Sequence, residues 1–341
     1  MKNKLKTIGI LAAALLFVLG GCGSSGDTGE SGTASKAESG KTESKVIRIG
    51  DQSNYYTAKV AVEKGFLKKE FGDDYTFELS TFADGPAATE AFVAGQIDFA
   101  LYGDTAAVQA YANGTDIRII SSFMESPDGF KLIVGKNSGI ETLADLKGKR
   151  IAFSAGSNDH KLILKFLEAA NLTTADVTLV NLASADNIPA LAKGEIDAFL
   201  GQEPNIDNIL EQTGGKIIAD NKGIETSAVF VLVDQAYAQA NSDNVVRLLK
   251  AFAQATEWME DNQEEAHKLV ADYNGSSVEN LKKYYETRQW SITWNDELTK
   301  AVQGTIDFAY DQGNIPEKFD VFDLADTSYL EKAGLYQKSD N

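Results

Sequence analysis

Ala91-Phe92-Val93-Ala94-Gly95-Gln96-Ile97-Asp98 and, 99 residues later, Ala190-Leu191-Ala192-Lys193-Gly194-Glu195-Ile196-Asp197 follow one pattern. In each copy an apolar helical stretch runs into a glycine suited to the residue just past a helix end, and a strand opening with Ile-Asp follows at once. The same offset carries Asp104 onto Glu203, so both strands lead to an acidic residue that stands before a helix. Context repeats along with letters. The pattern predicts two related α/β lobes and a cleft between them.

Working outward, short β-branched runs alternate with longer helical patterns, the arrangement expected of parallel sheets with crossover helices. In the first round strands are predicted at 46–50, 76–82, 97–102, 117–122 and 131–134, with helices at 56–65, 85–94 and 105–112. The second round has strands at 151–153, 177–180 and 196–200 and helices at 158–170 and 187–193. A strand at 228–233 then leads into a mainly helical end, where 245–259 and 267–273 carry apolar residues at helical spacing. A chain of 341 residues exceeds the usual size of one core, which agrees with two lobes.

At the start, Lys2, Lys4 and Lys6 precede the apolar run Ile8 to Leu19, the charged and hydrophobic regions of an export signal. This run is too short to span a bilayer comfortably as a helix. Leu19-Gly20-Gly21-Cys22 resembles a lipobox, where the cysteine is lipidated and the chain is cut before it. Cys22 is the only cysteine, which excludes an internal disulfide and a cysteine-based metal site. Residues 23–45 hold no aromatic or large aliphatic side chain and read as a flexible tether reaching roughly 25–30 Å. Loss of the three lysines takes the formal charge from −18 to −21, and so acidic a body disfavours nucleic acid. Attachment to the membrane would come from acyl chains on Cys22 instead.

In open α/β sheets, ligands sit beyond the carboxyl ends of the strands, where helix N-termini present unpaired N–H groups. That rule selects Gln52, Ser53 and Tyr55 after the first strand, and Gly103, Asp104 and Thr105 after the third. Ser126 lies between the strands at 117–122 and 131–134. In the second round it selects Gly156, Ser157, Asn158 and His160, and then Gln202 and Glu203. The turn at 154–160 carries most weight, because a strand, small residues and an amphipathic helix come in succession and can cradle an anion through N–H groups. A plain cap facing water is the alternative. Asp104 and Glu203 have two open readings, as acceptors for a ligand amine or as caps of the helices they precede. His160 is either an anion donor or structural, and His267, next to Glu264 and Glu265, reads as surface. Trp258, Trp290 and Trp294 read as packing residues, with a cleft wall at Trp290 or Trp294 as the alternative. Two histidines and one lipidated cysteine supply no Cys-His pair and no His-rich metal site, and Gly-x-Ser-x-Gly is absent. No enzyme, cofactor or metal is expected.

Several stretches together resemble the sulfonate, taurine and nitrate branch of periplasmic-type binding proteins, whose fold also includes thiamine-pyrimidine binders. They are Ala61-Val62-Glu63-Lys64-Gly65-Phe66-Leu67, Gly85-Pro86, Ala94 to Phe99, Gly103-Asp104-Thr105, Leu143 to Ala152, Gly156-Ser157 with His160, Gly194 to Ala198, Asp311 to Ile315 and Asp326 to Ala333. The resemblance covers nearly all of the chain after Cys22. It implies the type II two-lobed fold with two hinge crossings, placed near 130–134 and 228–233, lobe I as 46–131 and 231–341, and lobe II as 132–230. It further implies a monomeric receptor for a small organosulfonate, such as an alkanesulfonate or taurine, that serves an ABC permease with its cytoplasmic ATPase. Nitrate, bicarbonate or a thiamine-pyrimidine precursor is the alternative ligand, and a pyrimidine synthase-like enzyme or a sensory receptor the alternative role. The family's second-lobe strand ends with an aromatic and Asp-Pro, whereas this chain has Gln202-Glu203-Pro204, a departure on the ligand-sorting side of the cleft.

Overall fold

The computed structural model describes residues 45–82, 84–155 and 157–336. Eleven strands run in chain order as β1 (Lys45–Asp51), β2 (Tyr75–Thr81), β3 (Phe99–Gly103), β4 (Ile117–Ser126), β5 (Phe130–Val134), β6 (Arg150–Phe153), β7 (Thr178–Asn181), β8 (Ala198–Gln202), β9 (Lys216–Asp220), β10 (Ser227–Asp234) and β11 (Gln289–Thr293). They form two sheets, ordered β11-β4-β10-β3-β1-β2 and β7-β6-β8-β5-β9. Taken without β11, the first order maps onto the second strand by strand. Strands β1, β2 and β3 pair in parallel as β6, β7 and β8 do, and one reversed strand, β10 or β5, lies antiparallel in each sheet. The mixed α/β, two-lobed fold expected from the repeat is the fold observed.

The repeated octet has a physical job in both lobes. Gly95 and Gly194 close their helices at φ values of 65° and 71°, which cost a glycine little, and Ile97 and Ile196 turn into the core. Each aspartate then clamps an arginine on the neighbouring strand. Asp98 accepts hydrogen bonds from the Arg48 backbone N–H (2.9 Å), Nε (3.1 Å) and Nη2 (2.7 Å), while Arg48 Nη1 donates to the Gly95 carbonyl at 2.6 Å. Asp197 repeats this with Arg150 at 2.8, 3.1 and 2.8 Å, and Arg150 Nη2 reaches the Gly194 carbonyl at 2.7 Å. The arginine holds the Asp197 carboxyl below the usual carboxylate range, chiefly through these side-chain hydrogen bonds. The Ile-Asp pair therefore precedes each strand and fastens it, since β3 and β8 begin one residue after the aspartate.

Each reversed strand is the first one the chain builds after changing sheets. The crossings lie between Ser126 and Phe130 and between Asp220 and Ser227, a few residues before the places expected for them. Both 130–134 and 227–234 are strands whose apolar residues fill sheet faces inside the lobes, with register shifts against β9 and β4. Asn221, fully buried, staples the two connectors together. Its Oδ1 accepts from the Phe130 N–H at 3.0 Å, and its Nδ2 donates to the carbonyls of Ser126 at 2.9 Å and Glu225 at 2.8 Å.

The cores differ in scale. Lobe I builds one cluster, to which the C-terminal half adds the helix Ser242–Asp261 with Val245, Leu248, Leu249, Phe252, Ala255 and Met259 on one buried face. In lobe II the alternation along β5 divides the core, with Leu132 and Val134 facing one cluster and Ile133 another. His267 is a correction to the surface reading, being 3% exposed with Nδ1 3.0 Å from the Tyr56 hydroxyl. A fully buried tyrosine hydroxyl requires partners, and His267 and the Leu281 carbonyl serve. Burial lowers the His267 pKa from its ordinary value. Trp290 stacks on Tyr285 at 5.3 Å and Trp294 tilts against Phe230 at 5.8 Å.

Candidate functional site

A cavity of about 580 Å³ opens between the two sheets, within the range of small-molecule sites. Residues from both lobes line it, with Ser126, Phe130 and Ser227 at the strand ends that flank the connectors.

On the lobe I side, the loop after β1 is shaped by an interior lysine. Lys59 and Asp51 form a fully buried ion pair, and Lys59 Nζ also donates to the carbonyls of Gln52 (2.9 Å) and Tyr55 (3.0 Å). Desolvation raises the Asp51 pKa, and Lys59 opposes that rise. The loop so wound places Gln52 and Tyr55 on the cavity, with Tyr55 edge-on to Phe123 at 5.1 Å. Ser53 is turned to solvent and its carbonyl accepts from Asn274 Nδ2, so it does not line the cavity. Gly103, Asp104 and Thr105 line it where β3 meets the helix Asp104–Ala112.

Asp104 is 5% exposed and already engaged. Its Oδ1 accepts from the Thr105 N–H at 2.8 Å, and its Oδ2 meets the Thr305 hydroxyl and, at 3.3 Å, the Nζ of Lys161. Lys161, itself 3% exposed, comes from the lobe II helix Asn158–Ala169 and also pairs with Glu225. Burial works to lower the Lys161 pKa, but Asp104 and Glu225 outweigh it and hold the ammonium above its ordinary value. This network joins lobe II to lobe I beside the cavity.

On the lobe II side, Ser154, Ala155, Ser157 and Asn158 line the cavity. Ser157 caps its helix, with Oγ accepting from the His160 N–H at 3.3 Å and donating to the Ser154 carbonyl at 2.7 Å. Asn158 Nδ2 donates to Ser227 Oγ at 2.8 Å, a second contact between the lobes. Gly156 lies outside the described residues, as do Cys22 and the segment before it. The His160 ring is off the cavity, packed 4.5 Å from Phe153 and 5.2 Å from Phe308, and burial lowers its pKa. Gln202 lines the cavity at the end of β8. Glu203 does not, and its Oε2 is buried without a partner. Burial first, and Asp207 second, raise the Glu203 pKa.

The strand-end rule thus brings Gln52, Tyr55, Gly103, Asp104, Thr105, Ser126, Ser157, Asn158 and Gln202 to one cavity and leaves Ser53, His160 and Glu203 off it. It missed Tyr284 and Arg288, which reach the cavity from the C-terminal part of the chain. Among the described residues, Arg288 is the only basic one on the lining, and it is 8% exposed. It stands between the helix Val278–Glu286 and β11, where a hydrophobic strand pattern, Gln289 to Thr293, follows a charged helix. That change of period was the available signal. Neither Trp290 nor Trp294 lines the cavity. Among the described residues, no group of three or more His, Cys, Asp and Glu is placed to hold a metal, and no helix is long and apolar enough to cross a membrane.

Comparison with known proteins agrees with this architecture. A Bacillus subtilis (strain 168) protein named as aliphatic sulfonates-binding is 31% identical over 95% of this chain and 96% of its own length. The crystal structure of the periplasmic aliphatic sulphonate binding protein SsuA from Escherichia coli superposes with a TM-score of 0.74 at 28% identity, covering 82% of this chain and 97% of that one. The alkanesulfonate-binding protein SsuA from Xanthomonas axonopodis pv. citri, bound to MOPS, gives a TM-score of 0.70 at 27% identity over 83% of this chain and 98% of that one. The family described as NMT1/THI5 like matches residues 52–266, from the first cavity loop into the helix that carries His267. This chain belongs to the NMT1/THI5-like family.

Proposed function

We propose that this protein is the extracytoplasmic solute-binding component of an ABC importer, and that it captures a small organosulfonate between its lobes for delivery to a permease. The observation that carries the reading is the cavity itself, lined at the carboxyl ends of strands from both sheets. Its volume of about 580 Å³ suits an organic tail in addition to a charged head and is generous for nitrate or bicarbonate alone. Relatives named for sulfonate binding support the ligand class. The reading is of a receptor that binds without chemistry, supported by relatives named as binding proteins. Export by the segment before Cys22, lipid attachment at Cys22, the tether at 23–45 and a monomeric state complete the proposal.

Isothermal calorimetry with alkanesulfonates of increasing chain length, taurine, nitrate and a thiamine pyrimidine tests the ligand class. A sulfonate binding in the micromolar range or tighter is expected, about −8 kcal/mol or better. Tighter binding of nitrate or the pyrimidine would replace the organosulfonate with that ligand. Labelling with a palmitate analogue, lost in Cys22→Ala, tests the anchor.

A further inference from the structure

We propose that Arg288 and Ser126 form the subsite that holds the ligand's anionic head, an assignment that rests on the anionic ligand class proposed above. The Arg288 guanidinium carbon lies 3.5 Å over the Tyr284 ring, so stacking fixes its plane. Its hydrogen bonds run from Nη1, to the Tyr284 carbonyl and the Thr287 hydroxyl, both at 2.7 Å. Nε is buried with no partner. The edge carrying Nε and Nη2 remains, and that edge meets two oxygens of an oxyanion in a fork.

Ser126 supplies an independent observation. It is 3% exposed, and its Oγ is also buried without a partner. The β4–β11 register pairs Gln289 with Glu125 and Trp290 with Met124, so the next step along the strands sets Arg288 opposite Ser126. Gly129 packs directly against this pair: a Cβ there would stand 2.1 Å from Ser126 Oγ and 3.6 Å from Arg288 Nη1, so a side chain at 129 would displace the hydroxyl. Both side chains line the cavity.

Of the acidic lining residues, Asp104 pairs with Lys161 and Asp84 accepts from the Ala87 N–H, and Arg288 is the cation that the described lining presents to an anion. Two sulfonate oxygens match the guanidinium edge and a third accepts from the Ser126 hydroxyl. The helix-capping turn at Ser157 has its hydroxyl engaged by Ser154 and His160, so it does not offer that hydroxyl to an anion. With Arg288 and Ser126 as its partners, the head sits at the connector end of the cavity and the tail extends away from it.

Calorimetry of the purified protein with butanesulfonate, pentanoate, butylphosphonate and neutral butanesulfonamide tests this. Wild type is expected to bind the sulfonate and not the sulfonamide. Arg288→Gln should weaken sulfonate binding by about 10- to 150-fold, the range for losing hydrogen bonds to a charged group, with Arg288→Lys intermediate. Ser126→Ala and Gly129→Ala should each weaken it by about 3- to 10-fold. Sulfonate affinity in Arg288→Gln within about threefold of wild type would overturn the assignment. If Arg288→Gln does not fold, folded Ser126→Ala and Gly129→Ala variants with wild-type affinity overturn it equally. If wild type takes pentanoate and refuses the sulfonate, the organosulfonate reading fails, and the subsite stands only if Arg288→Gln loses pentanoate. A wild type that binds none of the anions removes both.

Discussion

In lobe I the acid at the strand end, Asp104, is buried and held by Lys161 and Thr305, whereas its counterpart in lobe II, Glu203, lies off the cavity with an oxygen that has no partner. The two occupy the same place in a repeated scaffold. What separates them is what the rest of the chain brings. The helix Asp296–Asp311 delivers Thr305 to Asp104, and lobe II delivers Lys161, while Glu203 faces Asp207 nearby. The frame is the same in both lobes, and the partners packed around each acid decide that Asp104 becomes part of the joint between them.

The largest test of that contrast is Lys161→Met. Removing the ammonium leaves Asp104 and Glu225 buried without it, and the expected loss of unfolding free energy is about 3–5 kcal/mol by urea denaturation. Adding Asp104→Asn should recover part of the loss. A cost under about 1 kcal/mol would mean that the joint is no firmer than a surface pair.

Next come the paired clamps. Asp98→Ala should cost about 2–4 kcal/mol, because the Asp98 side chain is 7% exposed and leaves a backbone N–H and a guanidinium without their acceptor. Asp197→Ala should move the thermal midpoint less, its side chain being 20% exposed. Equal shifts would show that burial does not grade the two clamps.

A smaller effect is expected on acidification. His267 has a folded pKa below its ordinary value of 6.5, so the unfolded chain takes up protons first as pH falls. The stability tied to neutral His267 is complete above about pH 6.5 and is lost as pH drops through the lower folded value. His267→Gln should flatten the fall in thermal midpoint between about pH 7 and pH 5, and an unchanged slope would assign that fall elsewhere. The smallest effect belongs to Glu203→Gln. Its raised pKa means that the charged form is disfavoured in the fold, so the neutral amide should leave stability unchanged or raise it by up to about 1 kcal/mol.

Much of this frame was legible because its signals are local. Gly95 and Gly194 mark helix ends by backbone preference, and the octet predicts two lobes by its repetition alone. The crossings lie just ahead of the strands expected near them and carry no signal of their own. A strand that has just changed sheets is buried on both faces and reads like any other apolar run, as 130–134 and 227–234 do. Lys59 and Lys161 were illegible for the opposite reason: lysine reads as surface, and only tertiary packing places carboxylates around it. His267 misled in the same way, since its acidic neighbours lie on the outer side of its helix while Ala266 and Val270 share its inner side. In the site, the strand-end rule found the residues that precede helices. It could not find Arg288, which enters from a distant part of the chain.

Asn221 has one consequence beyond its own hydrogen bonds. Because a single carboxamide bonds backbone groups on both connectors, a rotation in one strains its bonds to the other. A swing of one half of the molecule against the other that keeps these bonds turns about an axis near that side chain.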